Sequence, residues 1–359
     1  MRVSTLPRAL AVTVSSVLLA AACGGASTTQ PSAPPSPLPV GVLTHVEIPS
    51  ITAKTAAIDI MIVDQQAHLL YVADRTDSGV DVMDISTPQA RYLRTYDVGG
   101  SAPNGIALAR DQNKLFSGNN DSTVSIIDLK TGKILANVNT GGKMRADEMD
   151  YDSRDKKVYV ANSGDGFVTV IDAVSNRVIK KIDKISQGGL EQPRYDPTDG
   201  FMYLTLSDDN VIVQFDPAKD ELVKKFDVGV TCNPQGLAIN PKTNQALLGC
   251  GNRKKPETVL WDIKAGKVIS TFDAAGAGDM TLYDAKVDRF FYAASNFTSG
   301  GNPAPLLAVF NGSPPVQLVG SIPTASGSHS VAFDETNKVI YMQDQKPFDG
   351  GLFAVPMPK

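Results

Sequence analysis

The sequence predicts an all-β protein, a closed seven-bladed β-propeller with four antiparallel strands per blade, and three observations carry that expectation. First, an apolar run built around aromatic, Leu and β-branched residues recurs seven times: LLYVAD (69–74), KLFSGN (114–119), KVYVAN (157–162), FMYLTL (201–206), QALLGC (245–250), RFFYAA (289–294) and KVIYMQ (338–343). Second, a further apolar strand ending in an acid or amide follows the first six. Those end residues are Asp84, Asp128, Asp172, Asp216, Asp262 and Asn311, at successive spacings of 44, 44, 44, 46 and 49 residues. Third, apolar side chains inside the runs alternate with period two, and no long 3.6-residue apolar period competes with them.

Composition narrows the class before any motif is read. The chain has 359 residues, of which 42% are hydrophobic and 20% charged, with 30 Gly and 23 Pro to serve many turns. Only 3 Cys and 3 His are present, with no CxxC or CxxCH, which argues against a zinc cluster, a haem attachment site or a disulfide-dense miniature fold. The formal charge of −4 gives no global electrostatic reason to seek nucleic acid or an anionic membrane. There is no G-x-S-x-G elbow, Walker loop or HExxH, and AGAGD at 275–279 lacks the spacing of a dinucleotide fingerprint.

Taken from the N-terminus, residues 1–22 read as a secretory signal: Arg2 and Arg8 flank an apolar run from Ala9 to Leu19, closed by Ala20-Ala21-Ala22. Cys23 after three small residues resembles the first mature residue of a bacterial lipoprotein and is the expected lipidation site, although Ala20 stands where Leu is usual. Residues 23–42 are Ser/Thr/Pro-rich, unable to bury apolar area, and read as an extended tether of about 3.1 Å per residue. Residues 43–359 form the propeller domain. Its last repeat holds only three strands, HSVAFD, KVIYMQD and GLFAVPM, so the strand 43–50 is expected to supply the fourth and close the ring.

The blade KVYVANSGDGFVTVIDAVSNRVIKKI (157–182), preceded elsewhere by PNGIAL (103–108) and PQGLAIN (234–240), resembles the YVTN-type seven-bladed propeller repeats of bacterial and archaeal envelope proteins. The resemblance covers about residues 43–357. It implies the fold and an envelope setting, but its members include binding proteins, surface proteins and enzymes, so the activity has to be read from the site.

That site is sought at one mouth of the central channel, where each innermost strand begins. Stepping back five residues from the turn that ends each of these strands gives Asp59, Asn104, Asp147, Glu191, Gln235, Asp279 and His329, all polar and four of them acids. The second strands are expected to return Asn119, Asn162 and Asp344 to the same mouth as further ligand-binding residues. Longer loops at 250–258, 294–304 and 343–351 bias the expected groove toward blades 5 to 7. Carboxylates and amide oxygens converging on the channel suit a hard cation such as Ca²⁺, with Asn104, Asp147 and Glu191 as candidate ligands, and Asn104 within PNG resembles the metal-binding Asn of calcium-dependent gluconolactonase propellers. A hydrated acidic channel without metal is the competing reading. His329 beside Asp279 is a candidate general base for ester or lactone hydrolysis, against an ordinary hydrogen-bonding His. Cys232 and Cys250, both in blade 5, are a possible disulfide in an oxidising compartment.

Two functions follow. The preferred one is an exported, membrane-tethered, monomeric propeller that binds a small molecule or an envelope protein at one mouth. The alternative is a metal-dependent, lactonase-like hydrolase using the acidic ring.

Overall fold

The computed structural model describes residues 44–49, 51, 57–344 and 351–357. The expected signal, Cys23, the tether and the tip of the loop at 345–350 lie outside the described residues. Within them the chain forms seven four-stranded antiparallel sheets, six of them running from an inner to an outer strand in chain order. Blade 3 shows the pattern: inner strand Met149–Asp152, then Lys157–Asn162, Phe167–Asp172 and outer strand Arg177–Ile182.

Blade 7 is closed from the other end of the chain. Its inner three strands are Val331–Asp334, Val339–Gln343 and Leu352–Pro356, and the outer strand is Thr44–Val46, paired antiparallel with Thr44 opposite Ala354 and Val46 opposite Leu352. The closing strand is shorter than the span 43–50 expected for it. Beyond Val46 the chain leaves the sheet but still buries Ile48. Joining the two termini in one sheet removes the free edge that an open ring would expose.

The core lies between blades rather than within them. Among the described residues there are seven apolar clusters, one for each pair of neighbouring blades. The second strands supply the bulk: Tyr71, Phe116, Tyr159, Tyr203, Tyr292 and Tyr341 are each almost fully buried. Alternate side chains on one strand face opposite neighbours, so Tyr203 packs toward blade 5 and Leu204 toward blade 3. A sheet buried on both faces in this way explains why these runs are nearly all apolar.

The repeated acids are turn acceptors. Asp84, Asp128, Asp172, Asp216 and Asp262 each take a hydrogen bond from the backbone N–H two or three residues on, at 2.7–3.0 Å. The inner-strand turns repeat the device at Asp64, Asp152, Asp196, Asn240, Asp284 and Asp334. Ala109 has no such side chain, and there the turn is a short 3₁₀ segment, Arg110–Gln112.

The inner strands crowd together around the channel, and this is what the P-x-G motifs serve. A Cβ on Gly105 would lie 2.6 Å from Glu148 Cα, and one on Gly236 would lie 2.7 Å from Thr281 N. Both are backbone atoms of the next blade, which cannot move aside. In blade 5, Cys232 and Cys250 are joined in a disulfide with their Cα atoms 4.7 Å apart. It ties the loop entering the blade to the end of its second strand.

Candidate functional site

At the mouth where the inner strands begin there is a cavity of about 350 Å³. Six of the seven expected ring residues line it: Asp59, Asp147, Glu191, Gln235, Asp279 and His329. The seventh, Asn104, is fully buried just behind the wall, where its Oδ1 accepts from Arg75 Nε at 3.0 Å and its Nδ2 donates to Ala146 O at 3.2 Å. The long loops of blades 5 and 6 contribute Arg253, Ser295 and Asn296.

Three other expected residues do not reach the cavity. Asn119 donates to Ser125 Oγ at 2.8 Å, and Asn162 donates to Thr169 Oγ1 at 3.0 Å, so both amides turn back into their own blades. Asp344 is buried against the closing strand, 3.5 Å from His45 Nδ1. Asn119 and Asn162 end the second strand, one layer outside the channel, and the third strand offers them partners before the channel can; Asp344, just past the second strand of blade 7, meets His45 of the closing strand instead.

The expectation of an acidic mouth is corrected by cations that carry no repeat signal. Arg75 follows the end of blade 1's second strand and pairs with Asp59. Arg145, two residues before Asp147, donates to Asp147 Oδ2 from both Nε and Nη2 at 2.8 Å while leaving 45% of its side chain exposed. With Arg253 and His329, these stand against five carboxylates, those of Asp59, Asp147, Glu148, Glu191 and Asp279. The mouth is a mosaic of both signs.

His329 is a donor rather than a base. Its Nδ1 faces Gly327 O at 2.8 Å and its Nε2 faces Asp59 Oδ1 at 3.0 Å, two acceptors that want both ring nitrogens protonated. Burial opposes the charge, but the bond and charge of Asp59, with Asp279 nearby, outweigh it and raise the imidazole to about 9. His329 thus faces Asp59 and Gly327, and its raised pKa favours the protonated, donating form over the general base expected beside Asp279.

The carboxylates run the other way. Burial raises Asp147 to about 6 against the opposing pull of Arg145, and burial beside Asp279 raises Glu191 to about 8 although Ser207 Oγ donates to it at 2.7 Å. Burial likewise raises Asp279, and Glu148 well above the usual carboxylate range. Asp279 Oδ1 and Glu148 Oε2 are shielded from solvent and take no hydrogen bond. The site thus holds acceptor capacity that the protein itself does not use.

Two of the three candidate Ca²⁺ ligands already face cations: Asn104 Oδ1 accepts from Arg75 and Asp147 Oδ2 from Arg145, so an ion there would meet positive charge.

The fold and this mouth together define the class: a seven-bladed β-propeller with a polar ligand-sized cavity at one end of its channel. No family model matches the chain, and no curated protein matches it. Among solved structures it is similar to a chain in the "Crystal Structure of Mitotic Checkpoint Complex", with TM-score 0.70 and 14% identity, covering 96% of this chain and 100% of that one. It is also similar to the "Structure of U3-55K", with TM-score 0.70 and 11% identity, covering 90% and 100%. At these identities the likeness is one of fold.

Proposed function

We propose that this chain is an exported binding propeller of the YVTN-repeat type, held to a membrane through Cys23 and the Ser/Thr/Pro tether, whose channel mouth takes a small polar ligand carrying both acidic and donor groups. The observation that carries the reading is the mosaic itself. Arg145 and Arg253 offer partly free guanidiniums, while Asp279 Oδ1 is a solvent-shielded acceptor with no partner in the same 350 Å³ space. A rigid ring that spends stability on buried, unpaired acceptors is preorganised for a donor from outside. The Cys232–Cys250 disulfide supports export, because such bonds persist in oxidising compartments. The hydrolase alternative draws less support, since His329 is a donor and two of the candidate metal ligands are engaged by arginines.

The test is a calorimetric and thermal-shift screen of amino acids, small dicarboxylates, polyols and sugars, with a lactone panel assayed alongside. One zwitterionic or polyol class is expected to raise the melting midpoint saturably, and Asp279→Asn to weaken it at least about tenfold, the cost of losing one charge-assisted hydrogen bond. No response to any class, or lactone turnover that Asp279→Asn abolishes, would overturn the binding reading.

A further inference from the structure

A second group of carboxylates lies apart from the mouth cavity, in the turn of blade 1 that runs Asp74-Arg75-Thr76-Asp77-Ser78-Gly79-Val80-Asp81 between the second and third strands. One oxygen from each of Asp74, Asp77 and Asp81 lies within 4.8 Å of the others, and Asp74 and Asp81 are fully buried. The protein satisfies only half of this acceptor capacity. Asp74 Oδ1 accepts from Thr76 N at 2.7 Å and Asp81 Oδ1 from Thr95 Oγ1 at 2.7 Å. Asp77 Oδ2 competes for that same hydroxyl at 3.3 Å. The remaining oxygens, Asp74 Oδ2, Asp77 Oδ1 and Asp81 Oδ2, are shielded from solvent and are reached by no protein donor, and Asp74 and Asp81 stand within hydrogen-bonding reach of each other.

The neighbouring blades show that the fold does not ask for acids here. Asp74 ends the second strand, as do Asn119 in blade 2 and Asn162 in blade 3, and Asp81 is the third residue of the third strand, as are Ser125 and Thr169. In blades 2 and 3 the amide donates to the hydroxyl, which donates on to a backbone carbonyl, so the pair is neutral. Blade 1 replaces both partners with acceptors and adds a third. Three carboxylates so close together, two of them fully buried, are strongly unfavourable as anions unless a positive charge lies between them.

We propose that Asp74, Asp77 and Asp81 form a binding site for a divalent, oxygen-seeking cation, Ca²⁺ before Mg²⁺. The donor set is all oxygen, without the nitrogen or sulfur that would favour a transition metal, and the flexible turn can add carbonyls and water to reach the six to eight ligands Ca²⁺ takes. Arg75 belongs to the same turn and sends its guanidinium to Asp59 and Asn104 at the mouth. The cation therefore fixes the segment that positions this arginine. Burial raises Asp81 to about 8, in keeping with a place where the charged form lacks a counter-charge.

The experiment uses the purified full chain, freed of metal by a chelator and titrated with CaCl₂ and separately with MgCl₂ at pH 7.5, read by calorimetry and thermal melting. One saturable Ca²⁺ site per chain and a melting midpoint raised by at least about 3 °C at saturation are expected. The double variant Asp74→Asn, Asp81→Ser, which installs the neutral pair of blade 2, is expected to lose at least about 100-fold in affinity while melting no lower than the metal-free wild type. Asp77→Asn alone should lose at least about tenfold, so the idea stays testable if the double variant misfolds. Absence of saturable heat with both cations overturns the proposal, as does undiminished binding by the variants. A wild-type melt that ignores both cations but drops between pH 7 and 9, a drop the double variant lacks, identifies a shared proton in place of the cation and overturns it equally.

Discussion

At the scale of single residues, the mouth is held together by charges whose balance depends on pH. His329, raised to about 9 from an ordinary 6.5, favours folding while protonated, so its contribution is complete below 6.5 and is lost as the pH climbs through 9. Glu191, raised to about 8 from 4.5, has the same sign by a different route: folding prefers its neutral form, and stability falls as the pH passes from 4.5 through 8. Two substitutions separate these groups. His329→Gln is expected to lower the melting midpoint at pH 6 and to flatten its decline between pH 6.5 and 9. Glu191→Gln is expected to raise the midpoint above pH 8, by on the order of 2 kcal/mol in stability once solvent access to the cavity is allowed for. Melting curves across pH 4 to 9.5 check both, and parallel wild-type and variant curves would show that neither group titrates as described.

At the scale of elements, close approach of inner strands limits what the sequence can place at the P-x-G positions. Gly236 faces the backbone of Thr281 and Gly105 that of Glu148, in each case the next blade's main chain. Gly236→Ala is therefore expected to cost about 1–3 kcal/mol, the range for forcing a methyl group into a packed site, and Gly105→Ala a similar amount. Denaturant melts measure this, and a cost under about 0.5 kcal/mol for both would mean the strands can part. The repeat made these glycines visible as a motif, but their partner blades are some 40 residues away in sequence and only the ring brings them together. The arginines were hidden for another reason. Arg75 occupies a turn position where blade 2 has Asn120 and blade 3 Ser163, so it breaks the period that located the ring residues, and a search for repeated features passes over it. Asn119, Asn162 and Asp344 fail in the opposite direction: their register is right, but the direction of a side chain at or just past a strand end is decided by partners farther out in the same blade.

At the scale of the whole molecule, stability is shared among seven interfaces and closed by a three-residue strand. Val46 and Ile48 pack with Ile58 and Met61 of blade 1 as well as with Tyr341 and Leu352 of blade 7, so the closing segment seals the interface between the last blade and the first. A chain cut at residue 52 loses this clasp and exposes the edge at Leu352–Pro356. Its midpoint is expected to fall by several degrees, with aggregation on heating, as read by calorimetry and light scattering. An unchanged midpoint would mean that blade 7 is stable with three strands. Burying two large apolar side chains is worth about 1.5–3 kcal/mol each, enough to be seen in a ring of this size.

By itself the sequence determined the architecture: seven repeats near 44 residues, alternation with period two, a short last repeat that needs a strand from the other terminus, and the polar character of the channel entrance. These are local or periodic properties, and a propeller repeats its local chemistry seven times, so the signal accumulates. Only the tertiary structure decided what the entrance and the blade 1 turn can do. It set Arg75 on Asp59 and Arg145 on Asp147, gave both ring nitrogens of His329 acceptors, and brought three carboxylates of one turn within 4.8 Å. The charge of a buried group depends on which side chains come within a few ångströms, and that is set by folded strand ends and turns and, for His329 on Asp59, by closure between the last blade and the first, which no single repeat encodes.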